Sequence, residues 1–160
     1  MEAKEVKLPK FTVVGFRIEA TLNELESGEG KNIYDSLKSR KDEILYKKNE
    51  DIIFMQIYPM TPGFNPRIDR FTQLFCYVVN KSDTDSVPSG MMSHQVPEST
   101  YVTYTHKGLE SELGRSYDYL YGQWIREHGY EPKGYDFEVW GERYKPDSTD
   151  NEIDMFVAFR

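Results

Sequence analysis

The sequence has few of the residues and motifs on which several large protein classes depend. Its single cysteine, Cys76, cannot form an internal disulfide, and it lies in an apolar run, 74–79, where we expect a buried, inert thiol. The three histidines, His94, His106 and His128, are scattered, and no HExxH or CxxC motif is present. We therefore expect no metal site and no cofactor. The absence of GxGxxG, GxxxxGK[ST] and GxSxG leaves nucleotide-binding and serine-hydrolase functions without support.

Long apolar runs and excess positive charge are also missing. No apolar stretch approaches the ~20 residues that span a bilayer, and residues 1–7 lack the apolar core of a signal peptide. We therefore expect a cytoplasmic protein with no membrane partner. The 160 residues include 20 Lys and Arg against 27 Asp and Glu, a net charge of −7, and the whole deficit lies in residues 81–160. Because phosphate binding depends on clustered Lys and Arg, we expect no direct nucleic-acid contact.

Aromatic residues, in contrast, are abundant and are mostly tyrosine. The chain has 12 Tyr, 9 Phe and 2 Trp. A hydroxylated ring suits an apolar surface or cavity that must also accept polar contacts. The composition therefore hints at a binding cavity as well as a core.

Alternation and helical spacing predict an α+β fold. Strands are predicted at residues 11–19, 51–58, 71–79, 101–106, 135–142 and 153–159, helices at 32–47 and 110–128, a loop at 20–31 and an internal linker at 80–99. Both halves follow the order strand, helix, strand, strand. We therefore expect a single domain over 1–160 with pseudo-repeats at about 1–80 and 97–160. Two helices would cover one face of an antiparallel sheet, and a ligand groove would occupy the other face.

The strand at 135–142 carries the candidate site. Glu138 and Trp140 share one face of it, while Phe137 and Val139 share the other. If Phe137 and Val139 pack on the helices, Glu138 and Trp140 point into the groove. A carboxylate beside an indole attracts a lipophilic cation, although an ordinary solvent-facing strand has the same pattern.

Two tyrosines on other strands are further candidates for the same cavity. Tyr77 and Tyr104 would line it if the strand register allows. For each of them, packing in the core is an equally good interpretation.

Several segments of the second half resemble one known family. Residues 97–108, PESTYVTYTHKG, resemble the P-x-x-x-Y…HKG strand of the GyrI-like family, which also forms the effector-binding domain of some AraC-type activators. The segments WIREHGY (124–130), DFEVW (136–140) and IDMFV (153–157) resemble further parts of that family. The resemblance is specific over about 97–159, and in the first half only the strand order and the Leu-rich first helix region fit. Trp140 stands where a tyrosine is more usual.

The resemblance implies both a fold and a function. It implies duplicated β-α-β-β halves of the SHS2-like type, with Glu138 as a buried acidic anchor for small lipophilic or cationic molecules. The chain would be the stand-alone form, without a DNA-binding domain. Two alternatives remain open. One is a hydrolase of electrophilic, cyclopropane-type compounds, with Glu138 as general base and a tyrosine hydroxyl assisting. The other is a protein-interaction role, with DNA gyrase or a regulator as partner.

Overall fold

One antiparallel sheet forms the centre of the computed structural model, which describes residues 2–80 and 87–160. The strands are β1 (Lys4–Leu8), β2 (Phe11–Ala20), β3 (Lys47–Ile57), β4 (Phe71–Val79), β5 (Met92–Val96), β6 (Ser99–Lys107), β7 (Pro132–Trp140) and β8 (Glu152–Phe159). Their order across the sheet is β1-β6-β8-β7-β3-β4-β2-β5. All six predicted strands are present, and the predicted α+β class is confirmed.

The first helical segment begins and ends earlier than predicted. It consists of α1 (Leu22–Glu24), a π-helical turn (Leu25–Glu29) and α2 (Gly30–Ser39). A capping box starts it, because the Thr21 hydroxyl accepts from the Glu24 N–H at 3.0 Å and the Glu24 carboxylate accepts from the Thr21 N–H at 2.9 Å. The loop predicted at 20–31 and the helix predicted at 32–47 were therefore wrong in their bounds. Ile44 is buried, but its backbone is extended.

The second helical segment agrees with its prediction. A 3₁₀ turn (Glu110–Glu112) leads into α3 (Leu113–Tyr117), which continues as a π-helical stretch (Asp118–Ile125). Gly129 follows with φ 73°, the left-handed conformation that commonly ends helices. Within the described residues, no helix is long and apolar enough to cross a membrane.

Two short edge strands, β1 and β5, were not predicted. These edge strands are exchanged between the two halves of the chain. β1, from the first half, pairs with β6 of the second half, and β5, from the second half, pairs with β2 of the first half. The linker predicted at 80–99 was thus wrong for Met92–Val96, which forms β5, while residues 81–86 lie outside the described residues. A strand such as MSHQV carries almost no alternation of apolar and polar residues, so the sequence gives little sign of it.

The exchange of edge strands forces the sheet to curl. Only Pro9 and Lys10 connect β1 to β2, yet five strands lie between them in the sheet order. A connection this short spans roughly 10 Å, so the two edges of the sheet must come close together. Accordingly the rings of Phe11 on β2 and Phe137 on β7 are 5.7 Å apart, although β3 and β4 separate their strands.

The curl fills the face that carries no helix. A buried apolar cluster occupies this face: Val13, Ile53, Met55, Leu74, Cys76, Val96, Tyr101, Phe137 and Ala158. Cys76 is fully buried, as expected, and burial raises the pKa of its thiol. The candidate site residues must therefore be sought on the helix side of the sheet.

Candidate functional site

Glu138 lies at the centre of the sheet. It sits on β7 directly between Phe54 of β3 and Met155 of β8, and β7 and β3 are the two central strands. Only 2% of its surface is exposed. The β7–β3 pairing also joins the strands of the first half of the chain to those of the second.

Glu138 and Trp140 face the helices, contrary to the expectation from the sequence. The Tyr117 hydroxyl, on α3, donates to Glu138 Oε2, and Trp140 Nε1 donates to Glu138 Oε1 at 2.9 Å. Phe137 and Val139 pack instead in the helix-free core. Alternation shows which residues share a face, but both faces of β7 are apolar enough to be buried, so it does not tell which face meets the helices.

Aromatic rings surround the Glu138 carboxylate on the helix side. The Trp140 ring stacks on Tyr144 with centroids 4.7 Å apart and on Phe54 at 5.2 Å. Tyr34, from α2, approaches the Trp140 ring to 5.6 Å. Since Tyr34 comes from the first helical segment and Tyr117 from the second, the site lies between the two.

Burial dominates the electrostatics of Glu138. Loss of solvent raises its pKa to about 8, and the hydrogen bonds from Tyr117 and Trp140 lower it only in part. The charges of Glu110 and Asp136 raise it further. The same loss of solvent raises the pKa of Tyr117, so this hydroxyl remains a donor. Near neutral pH the Glu138 carboxyl can therefore exchange a proton for a cation.

A second buried carboxylate, Asp136, lies beside the first on the same face. It accepts from Gln56 Nε2 at 2.8 Å, from the Tyr58 hydroxyl at 2.8 Å and from the Tyr121 hydroxyl at 2.6 Å. Gln56 Nε2 also donates to the Tyr117 hydroxyl at 3.0 Å, which links the two carboxylates through one chain of hydrogen bonds. Burial raises the pKa of Asp136 to about 6.

The two tyrosines proposed from the sequence share the helix-side face, and Trp140 packs against the apolar cluster of each of them. Tyr104 lies in the row of Glu138 with Met155 between them, and its ring packs 5.2 Å from that of Tyr119. Tyr77 lies in the row of Trp140 with Ile52 between them and is buried beside Leu37 of α2. Their contribution to a ligand site stays a prediction.

The sequence interpretation missed the partners of the carboxylates. Its candidate site residues did not include Tyr117, Tyr121 or Asp136. The usable signal was spacing: the two tyrosines are four residues apart on a helix, and Asp136 and Glu138 are two apart on a strand. Each pair therefore shares a face, and in the structure the two faces meet.

The sequence matches a known family over almost its whole length. Residues 6–159 match the profile of Cass2, described as integron-associated effector binding protein. The chain belongs to the Cass2 family. This match confirms the GyrI-like resemblance, because Cass2 is an effector-binding family of that type.

Relatives of this Cass2-family chain include a longer regulator. The transcriptional regulator BrlR of Pseudomonas aeruginosa is 27% identical over 161 residues, which cover 98% of this chain and 55% of BrlR. The chain therefore spans about half the length of this curated relative.

Two solved structures share the fold. SAV2435, bound to tetraphenylphosphonium, superposes with a TM-score of 0.73 at 12% identity, covering 100% of this chain and 94% of its own. EcmrR, in a complex with DNA, superposes with a TM-score of 0.72 at 19% identity, covering 99% of this chain and 57% of its own. This fold thus occurs both in a protein with a bound small molecule and in a DNA-bound protein.

Proposed function

We propose that this Cass2-family chain binds small lipophilic cations between its two helical segments, with Glu138 as the charge that holds them. The observation that carries the proposal is the environment of Glu138. Its carboxylate is buried and oriented by two neutral donors, Tyr117 and Trp140. Ion pairs among the described residues do not include it.

The surroundings favour a cation with a diffuse charge over a small hydrated one. A compact ion would lose its water shell on entry, and burial of an ion is expensive. A lipophilic cation loses less hydration and gains apolar contact with the aromatic rings of Trp140, Tyr144 and Tyr34. Its charge would then compensate a carboxylate that burial otherwise penalises.

The ligand of a structural neighbour supports this ligand class. Tetraphenylphosphonium, found in SAV2435, is a cation whose charge is enclosed by four aromatic rings. It is therefore a suitable probe for this chain.

We expect Glu138→Gln to weaken tetraphenylphosphonium binding at pH 8 by tenfold or more, because the isosteric amide removes the charge but keeps the shape. Isothermal titration calorimetry measures both affinities. Glu127→Gln, an equal charge change at an exposed position near the end of the second helical segment, is the matched control and should bind as the wild type does. Equal affinities of Glu138→Gln and the wild type would refute Glu138 as the anchor.

Tetraphenylphosphonium affinity should also depend on pH. The probe does not titrate, and it requires ionised Glu138, whose pKa in the free protein is raised to about 8 by burial. Between pH 6 and 8 the affinity is therefore expected to rise by up to about tenfold per pH unit and then to level off. Titrations across this range check the profile. An affinity independent of pH would show that the cation does not depend on this carboxylate.

Several finer expectations from the sequence stay predictions. They are the stand-alone form, the cytoplasmic location, hydrolysis of electrophilic compounds by Glu138 with a tyrosine, and contact with DNA gyrase or a regulator.

A further inference from the structure

The binding of a ligand with one cationic group by Glu138 assigns no role to Asp136, yet Asp136 is as deeply buried as Glu138. Only 1% of its surface is exposed. The two residues are two positions apart on β7 and face the same side, so their backbone positions are separated by roughly 6–7 Å. This spacing lets two separate charges be held within one site.

The hydrogen bonds of Asp136 leave its charge without compensation. Its donors are an amide and two hydroxyls, from Gln56, Tyr58 and Tyr121, and all three are neutral. Within the described part of the chain, neither Asp136 nor Glu138 takes part in an ion pair. Neutral donors fix the direction of the carboxylate while its negative charge remains available to a ligand.

A buried acceptor lies further along the same row. Gln73 on β4 is directly opposite Gln56 on β3, and Gln56 is directly opposite Asp136. Gln73 is fully buried and donates to the Ala20 carbonyl, but its Oε1 has no hydrogen-bond partner among the described residues. An unsatisfied buried acceptor is uncommon, and here it lies on the face that carries the carboxylates.

From this geometry we infer that the site takes ligands with two cationic groups, one held by Glu138 and the second by Asp136. The inference rests on the proposed function and narrows its ligand class. Two neighbouring buried carboxylates repel each other when both are ionised. A monocation compensates one of them, whereas a dication compensates both and gains a second charge-assisted contact.

A matched pair of probes tests the inference. 1,4-Bis(aminomethyl)benzene carries two ammonium groups, and 4-ethylbenzylamine has nearly the same shape with one. At pH 8 and fixed salt, calorimetry on the wild type is expected to show that the dication binds at least about tenfold more tightly than the monocation. At pH 5, where the carboxyl of Asp136 is largely protonated, this preference should be lost. Equal binding of the two probes at pH 8 would overturn the inference without use of any variant.

Variants then locate the second anchor. Asp136→Asn is expected to bring the ratio of dication to monocation affinity close to one, while the exposed control Glu127→Gln keeps the wild-type ratio. Glu110, whose carboxylate accepts from the Tyr144 hydroxyl at 2.7 Å and whose charge also raises the pKa of Glu138, is a competing candidate. Loss of the ratio in Glu110→Gln and not in Asp136→Asn would contradict the assignment.

The probe series separates this inference from the proposed function. If tetraphenylphosphonium binds through Glu138 but the two amines bind equally, the inference fails and the proposed function stands. If none of the cations binds, the proposed function fails as well.

Discussion

Replacing Glu138 with glutamine is expected to raise the melting temperature of the ligand-free protein by roughly 10 °C at pH 9. The carboxyl has a pKa raised to about 8 in the folded state, against 4.5 as its ordinary value. Forcing it to ionise inside the protein therefore costs about 5 kcal/mol of folding free energy. Glutamine avoids this cost, and its side chain can accept from Trp140 and donate to the Tyr117 hydroxyl.

The pH dependence of this effect follows from the direction of the shift. Between pH 4.5 and 8 the folded state keeps a proton that the unfolded state has lost, so the wild type loses stability as the pH rises through this window. The gain from Glu138→Gln should then be near zero at pH 4.5, grow up to pH 8 and stay constant above it. Melting temperatures by circular dichroism across this range test the trend. Glu127→Gln should show no such trend, and a gain independent of pH would mean that packing rather than ionisation is responsible.

Replacing Gly15 with alanine is expected to destabilise the fold by about 3 kcal/mol or more. Gly15 lies on β2 opposite Cys76 of β4. A Cβ there would lie 2.0 Å from the Phe75 carbonyl oxygen and 2.6 Å from the Cys76 Cα, and both are backbone atoms that cannot move without distorting the strand. Glycine thus permits the close approach of β2 and β4 in the curled sheet.

Urea unfolding compares Gly15→Ala with a control glycine at which alanine is expected to raise the free energy of unfolding rather than lower it. Gly122 lies in the second helical segment, and an added Cβ would meet no heavy atom within 4 Å. Gly122→Ala is therefore expected to stabilise by about 0.5–1 kcal/mol, since alanine favours helices. If Gly15→Ala is as stable as the wild type, β2 and β4 can move apart without a loss of folding free energy.

The strands were predictable because their patterns are local. Residues 71–79 contain the apolar run 74–79, and they form β4 within the predicted bounds. The start of the first helical segment also has a local signal, the capping box of Thr21 and Glu24. The polar composition and the two glycines of this segment nevertheless favoured a loop. β1 and β5 could not be predicted, because they owe their conformation to pairing with distant strands.

The site was predictable only in part. Strand alternation grouped Glu138 with Trp140, and the structure brings these two side chains together. The hydrogen bond from Tyr117 depends on where α3 crosses the sheet, and this is a property of the tertiary packing. For the same reason the sequence could not tell which face of β7 meets the helices.

The exchange of edge strands has a consequence for the order in which the chain can fold during synthesis. β1 is made well before its partner β6, since Lys4 pairs with Thr103 and the two are separated by more than half of the 160 residues. Until β6 has been made, β1 has no partner and the curled sheet cannot close. Closing so long a segment carries an entropic penalty and slows folding. Completion of the sheet must therefore be a late event, which awaits the second half of the polypeptide.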